Sequence, residues 1–132
     1  MLVVDTSAVL NALIADPPAA GLIERLGDGG EIGVPHLIDV EALHVLRRLV
    51  RLGEVSADRA SDARSDLASL ALTRYPHEPL AARIWELRDN VTAYDAAFVA
   101  LADALAVPLI TCDARLAEAS GTHASIELYG PG

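Results

Sequence analysis

The sequence predicts an α/β fold, a three-layer α/β/α sandwich in which helices cover both faces of a mostly parallel central sheet. Short apolar, largely β-branched runs alternate along the chain with segments of helical periodicity, which is typical of parallel sheets. The 132 residues, 52% of them hydrophobic, contain no linker-like stretch, low-complexity tract or repeat. We therefore expect one domain spanning residues 1–132.

The first part of the chain predicts a strand, two short helices and a second strand. Residues 2–5 form a short β-branched run that predicts a buried first strand. Ser7 is expected to cap a helix over residues 7–15, which the prolines at 17 and 18 stop. Residues 19–26 predict a short helix that ends in a glycine-rich turn, and residues 32–34 predict the second strand.

Two amphipathic helices are expected in the middle of the chain. Apolar residues recur at helical spacing over residues 38–52, which Gly53 ends, and again over residues 56–68. A third strand is predicted at residues 71–74, followed by a helix at residues 79–88.

The last part of the chain holds its most apolar helix, expected at residues 92–106. Only two aspartates interrupt its apolar surface, so we expect this helix to be buried. A strand at residues 107–111 follows, then a short helix from Ala114 and an edge strand at residues 126–128.

Composition excludes several kinds of chemistry. All ten basic residues are arginine, and the formal net charge is −9. Without lysine there can be no Walker A phosphate loop and no Schiff base. The single cysteine, Cys112, excludes an internal disulfide and a multi-cysteine zinc site, and the four histidines show no ligand spacing. Charged chemistry therefore falls to carboxylates, arginines or hydroxyls.

The sequence also predicts a cytoplasmic protein that does not associate with membranes. Its first residues carry no basic segment, long apolar stretch or cleavage site. No run approaches the ~18 apolar residues of a membrane span.

Four acidic residues lie where an open parallel sheet binds ligands. Asp5 closes the first strand, and Asp113 lies two residues beyond the end of the fourth. Glu41 and Asp95 lie near the starts of helices that are expected to pack on the sheet. Each acid also has a structural interpretation: Asp5 and Asp113 as helix caps, Asp95 in a capping box, and Glu41 as an acid that either faces water or favours a helix N-terminus.

Taken together, the four acids favour a metal site. Burying several unpaired carboxylates is costly, and only Arg88 and Arg115 lie close to any of them in sequence. Oxygen-rich, cation-poor clusters are what Mg²⁺ or Mn²⁺ requires.

Four motifs resemble those of PIN-domain ribonucleases. Residues 3–10 resemble the opening strand and turn of that family, and residues 35–41 its second acidic motif. Residues 83–97 resemble the third motif, in the form found in VapC toxins of bacterial toxin–antitoxin pairs, and residues 109–113 the fourth. The resemblance covers essentially the whole chain, with all four acids in order.

The resemblance implies a metal-dependent endoribonuclease toxin of a type II toxin–antitoxin system. Asp5, Glu41, Asp95 and Asp113 would hold one or two Mg²⁺ or Mn²⁺ ions, which activate a water for attack on an RNA phosphodiester bond. We expect a structured RNA substrate such as tRNA or rRNA, a cognate VapB-like antitoxin and a homodimer. The hydroxyls of Thr6 and Ser7 either position the scissile phosphate or cap the first helix.

The alternative is a PIN-like protein-binding module with little intrinsic nuclease activity, although the intact acids favour the enzyme. Asp39 is expected to be a surface acid, Cys112 a small buried residue, and Asp103 either a structural acid or an outer contributor to the site. Asn90 belongs either to the site or to a turn. The arginines at positions 47, 48 and 51 either contact RNA or form a solvated helix face.

Overall fold

A five-stranded parallel sheet organises the chain. The structure, a computed structural model, describes residues 1–119 and 121–130. The predicted domain of residues 1–132 thus includes three positions, 120, 131 and 132, outside the described residues. The strands are β1 (Leu2–Val4), β2 (Ile32–Pro35), β3 (Leu72–Tyr75), β4 (Leu109–Thr111) and β5 (Ile126–Leu128).

Seven α-helices within the described residues connect these strands. They are α1 (Thr6–Ile14), α2 (Leu22–Asp28), α3 (Leu37–Arg51), α4 (Ala57–Ser69), α5 (Ala81–Glu86), α6 (Ala93–Leu105) and α7 (Ala114–Ala117), with a 3₁₀ turn at Glu78–Leu80 before α5. Among the described residues, none of these helices is long and apolar enough to cross a membrane.

The sheet has the order β3-β2-β1-β4-β5, and every pairing is parallel. The predicted parallel sheet is therefore confirmed. In the register, Val3 of β1 lies opposite Gly33 of β2 on one side and Leu109 of β4 on the other. Since all five strands run the same way, the residues that follow β1 and β4 meet at one edge of the sheet.

Helices cover both faces of the sheet, as the three-layer prediction requires. Helices α1, α3 and α4 contact one another, while α6 packs on β1, β2 and β4 with α5 against it. Seven consecutive residues of α6, from Ala96 to Ala102, are buried, which confirms the prediction for this helix. The strands β1 and β4 are completely buried and form the centre of the core.

Several predicted boundaries were wrong by a few residues. The helix expected at residues 19–26 begins at Leu22, because Gly21 before it has the left-handed backbone (φ 81°). The helix expected at residues 79–88 is divided, since Pro79 lies in the 3₁₀ turn that precedes α5. The strand expected at residues 107–111 begins at Leu109, after Ala106 turns the chain with a φ of 54°.

Candidate active site

Asp5 is a buried carboxylate at the end of β1. Its residue is 5% exposed, and it is also the N-cap of α1. The Asp5 Oδ1 atom accepts hydrogen bonds from the Ala8 backbone N–H at 2.9 Å and from the Ser7 Oγ atom at 2.7 Å. Burial raises the pKa of Asp5 to about 6, against the lowering effect of its hydrogen bonds. Asp5 is thus a cap and a strongly perturbed acid at the same time.

Thr111 is the site residue that the sequence analysis missed. It is fully buried at the end of β4, and its Oγ1 atom donates to Asp5 Oδ2 at 2.6 Å. The same Oγ1 atom accepts from the Asp113 backbone N–H at 2.9 Å, so one hydroxyl links two of the predicted acids. The sequence feature that could have identified Thr111 is a hydroxyl-bearing residue at the end of an otherwise apolar, buried strand.

The hydroxyls of Thr6 and Ser7 contact carboxylates. Thr6 Oγ1 donates to Glu41 Oε1, and Ser7 Oγ donates to Asp5 while accepting from the Cys112 backbone N–H at 2.9 Å. The prediction that Ser7 caps the first helix was wrong, because Asp5 holds the extended N-cap position and Ser7 already lies inside α1. Both hydroxyls therefore fix the orientation of an acid.

Glu41 and Asp95 are half-buried acids on helices from opposite faces of the sheet. Burial raises the pKa of Glu41, and the nearby charge of Asp95 raises it further. Burial likewise raises the pKa of Asp95, with a further contribution from the charge of Asp113 and opposition from Arg115. The Thr92 Oγ1 atom accepts from the Asp95 backbone N–H at 3.2 Å, so the predicted cap of this helix is present beside the perturbed carboxylate.

Asp113 completes the set as the N-cap of the short helix α7. Its Oδ1 atom accepts from the Arg115 backbone N–H at 2.9 Å. The Arg115 side chain makes only a long ion pair with it, 3.5 Å between Nη2 and Oδ2, and is 91% exposed.

The four acids share one electrostatic neighbourhood. The charge of Asp95 raises the pKa of both Asp5 and Glu41, and the charge of Asp113 raises that of Asp95. Such coupling requires the carboxylates to lie near one another, as expected for residues that follow neighbouring parallel strands. Among the described residues, no group of three Asp, Glu, His or Cys side chains is arranged to hold a metal ion directly.

Three other polar residues singled out in the sequence lie outside the set of four acids. Asp103 is an internal anchor, because its Oδ2 atom accepts from Arg83 at 2.9 Å and its Oδ1 atom from the Ala124 backbone N–H at 2.6 Å. Asp39 forms an ion pair with Arg74 at 2.7 Å, which lowers the pKa of Asp39. Cys112, which was expected to be buried, is only partly buried. This partial burial still raises the pKa of Cys112 to about 11, so this residue is a neutral thiol at pH 7.

Comparisons with known proteins agree with this architecture. The PIN domain family matches residues 2–121. Ribonuclease VapC1 of Mycobacterium tuberculosis (strain ATCC 25618 / H37Rv) is 46% identical over 127 residues, which cover 96% of each chain. The chain therefore belongs to the PIN domain family, and within it to the VapC ribonucleases.

Two solved structures show the same fold. PAE2754 from Pyrobaculum aerophilum superposes with a TM-score of 0.70 at 26% identity, and the match covers 95% of this chain and 81% of that one. A chain of VapBC2 from Rickettsia felis, solved bound to a DNA fragment from its promoter, superposes with a TM-score of 0.69 at 13% identity, with 97% and 98% of the two chains covered.

Proposed function

We propose that this protein is a metal-dependent endoribonuclease toxin of a type II toxin–antitoxin system, which hydrolyses RNA phosphodiester bonds. The observation that carries the proposal is the set of coupled carboxylates at the carboxyl edge of the sheet, three of which have a raised pKa. Perturbed acids of this kind are concentrated at functional sites. Curated relatives named as VapC ribonucleases support the same activity.

The donor set fits Mg²⁺ or Mn²⁺. Carboxylate oxygens are the ligands that hard divalent cations prefer, and Mg²⁺ keeps several waters while binding proteins through only one or two carboxylates. A site without a three-residue cage is therefore compatible with such an ion. We propose Asp5, Glu41, Asp95 and Asp113 as its ligands, directly or through water. When bound, the ion supplies positive charge to the phosphate oxygens and lowers the pKa of a water.

The residues of the chain prepare this site by fixing the carboxylates and keeping them ionisable. Ser7 and Thr111 donate to the two different oxygens of Asp5, so its carboxylate cannot rotate away from the sheet edge without losing both bonds. Thr6 does the same for one oxygen of Glu41. Burial, and to a lesser extent mutual repulsion, raises the pKa values of these carboxylates. A bound cation would offset both effects, which favours metal binding over the empty state.

Cleavage of RNA tests the activity. Purified protein is incubated with total cellular RNA, with and without Mg²⁺ or Mn²⁺, and the new ends are mapped. We expect cleavage that requires the metal and falls to background in the Asp95→Asn variant. Cleavage that persists in excess chelator would contradict the metal dependence. Intact RNA under all conditions would favour the protein-binding module.

We also propose a cognate antitoxin and a homodimer as partners. Support comes from solved relatives that are complexes, VapBC2 among them. The surface beside Glu41 supports it as well, because Val40 is 68% exposed and Tyr94 63%. Apolar patches of this kind mark protein contacts. Light scattering tests the dimer, and co-purification with the product of a neighbouring gene tests the antitoxin.

A further inference from the structure

A groove leads from the acidic site toward an exposed tryptophan. Its first part is a cleft of about 490 Å³ that is bordered by Asp95, Thr92, Arg88 and Arg115. A second cleft of about 390 Å³ shares Thr92 and Arg88 with the first and extends to Trp85. We call this continuous surface, defined by Trp85, Arg88, Thr92, Asp95 and Arg115, the arginine groove.

The two arginines make the arginine groove the place where an anionic strand can approach the acids. The protein as a whole has a net charge of −9 and repels RNA. In the first cleft, however, Arg88 and Arg115 balance the carboxylates of Asp89 and Asp95. Within the described residues, three other arginines are held in shorter ion pairs with carboxylates: Arg25 with Glu127 at 2.9 Å, Arg74 with Asp39 at 2.7 Å and Arg83 with Asp103 at 2.9 Å.

Arg88 is available for a ligand. Its recorded contacts are with Trp85: its Nη1 atom donates to the Trp85 carbonyl oxygen at 3.0 Å, and its guanidinium lies 4.6 Å from the centre of the indole ring. Among the described residues it forms no ion pair with a carboxylate. A guanidinium that lies over an aromatic ring makes a cation–π contact, which leaves its remaining N–H donors free to meet phosphate oxygens.

Trp85 offers a stacking surface at the outer end of the groove. Its residue is 67% exposed, which is unusual for the largest apolar side chain, and no packing role explains that exposure. Unpaired nucleobases stack on aromatic rings and on arginine planes, and this mode of binding tolerates any base. Trp85 stays largely exposed although the Arg88 guanidinium lies over its ring, so this residue pair offers an aromatic ring and a guanidinium to an incoming strand.

We propose that the arginine groove binds a single-stranded segment of RNA next to the scissile phosphate. Arg88 and Arg115 hold phosphate groups, and one base stacks on Trp85. This inference rests on the proposed nuclease function and specifies its substrate as an unpaired strand, such as the loop of a structured RNA.

Binding of a labelled 12-nucleotide RNA without self-complementarity tests the inference. The full-length protein is used in the presence of Mn²⁺, and every variant also carries Asp5→Asn so that the probe is not cleaved. We expect Trp85→Leu to weaken binding by about 5- to 100-fold, as for loss of one stacked base. Trp85→Phe, which keeps an aromatic face, should retain most of the affinity. Thermal melts establish that each variant is folded.

Base stacking on Trp85 and phosphate binding by Arg88 are distinguished by a probe without bases and by the salt dependence of the affinity. An oligonucleotide of the same length without bases should bind the Trp85→Leu variant as well as the parent. Arg88→Gln should weaken binding of both probes and reduce the slope of log affinity against log salt by about 0.7, as for one lost phosphate contact. Arg51→Gln is the control, because it makes the same charge change at the exposed far end of α3, about 15 Å beyond Glu41.

Three results would overturn the inference. Trp85→Leu could bind the RNA as well as the parent, or Arg51→Gln could weaken binding as much as Arg88→Gln does. A Trp85→Leu variant that keeps RNA binding but no longer co-purifies with its protein partner would assign the groove to protein recognition. In these cases metal-dependent cleavage by the wild type would still support the nuclease function. If the wild type neither cleaves nor binds RNA, both proposals fail.

Discussion

Replacing Asp5 by Asn is expected to stabilise the metal-free protein at neutral pH. Burial raises the pKa of Asp5 from its ordinary value of 3.8 to about 6. A difference of this size between the unfolded and folded states corresponds to about 3 kcal/mol. Above pH 6 the folded protein therefore carries a cost of about 3 kcal/mol for keeping this carboxylate ionised, and an amide of the same shape removes that cost.

The dependence on pH follows from the direction of the pKa change. Below pH 3.8 Asp5 is neutral in both states, and wild type and variant differ only by the constant effect of the amide. Between pH 3.8 and 6 the unfolded state loses its proton first, so the wild type loses stability as the pH rises. The stability advantage of the Asp5→Asn variant should thus grow by about 2 kcal/mol between pH 4 and pH 7, on top of the constant effect of the amide.

Thermal and urea unfolding in the presence of chelator measure this difference. For a domain of this size 3 kcal/mol corresponds to a rise in Tm on the order of 10 °C. Asp39→Asn is the matched control with the opposite sign, because the ion pair with Arg74 lowers the pKa of Asp39. That variant should be less stable than the wild type at pH 7, and the deficit should shrink in acid.

One result would refute the reasoning. If Asp5→Asn changes the free energy of unfolding by the same amount at pH 4 and pH 7, burial does not perturb the Asp5 carboxyl. Addition of Mn²⁺ gives a second readout, since a ligand that binds only the folded state raises its stability. The wild type should gain stability with Mn²⁺ and the variant should gain less.

Three further predictions concern single side chains. Asp95→Asn should abolish RNA cleavage and reduce the stabilisation by Mn²⁺, while the metal-free variant should be at least as stable as the wild type. A lower Tm with an unchanged Mn²⁺ response would show that Asp95 serves only as a helix-start residue. Thr111→Val should reduce cleavage by about 10- to 100-fold, as for loss of a group that orients a metal ligand. The loss should be greater at pH 6 than at pH 8, because Asp5 loses a donor that lowers its pKa. A loss that does not vary with pH in kinetic assays would contradict this. Asp103→Ala should destabilise the fold by about 3 kcal/mol, since it leaves Arg83 without a buried partner. The folded variant should keep its cleavage rate per molecule. A loss of cleavage without loss of stability would instead show that Asp103 contributes to the active site.

The family and the layered fold were predictable from the sequence because both depend on short motifs and on the periodicity of apolar residues within short segments. Strand and helix periodicities alternate along the chain, and parallel strands place the residues that follow them at one edge. This was sufficient to predict that Asp5 and Asp113 lie at the same edge, and the structure confirms that placement. Burial of the α6 helix followed in the same way from its composition.

Local pattern was less reliable where short elements meet turns. The prediction placed a helix cap at Ser7, but the cap is Asp5, because the strand predicted at residues 2–5 ends at Val4. Acid and hydroxyl are both good caps, so propensity alone does not choose between them. In the folded chain, Thr111 adds a distant contact to this cap, because its hydroxyl donates to the other oxygen of the Asp5 carboxylate.

The sequence by itself determined the residue types at the sheet edge and their order along the chain. Only the tertiary structure decided which of them interact. Thr111 and Asp5 are 106 positions apart, and they meet because β1 and β4 are neighbours with Val3 opposite Leu109. Asp103 looked like a neighbour of the site on its helix, yet Arg83 and the loop before β5 bind both of its oxygens. Hydrogen-bond partners and desolvation depend on contacts between distant segments, and no local pattern in the chain records those contacts.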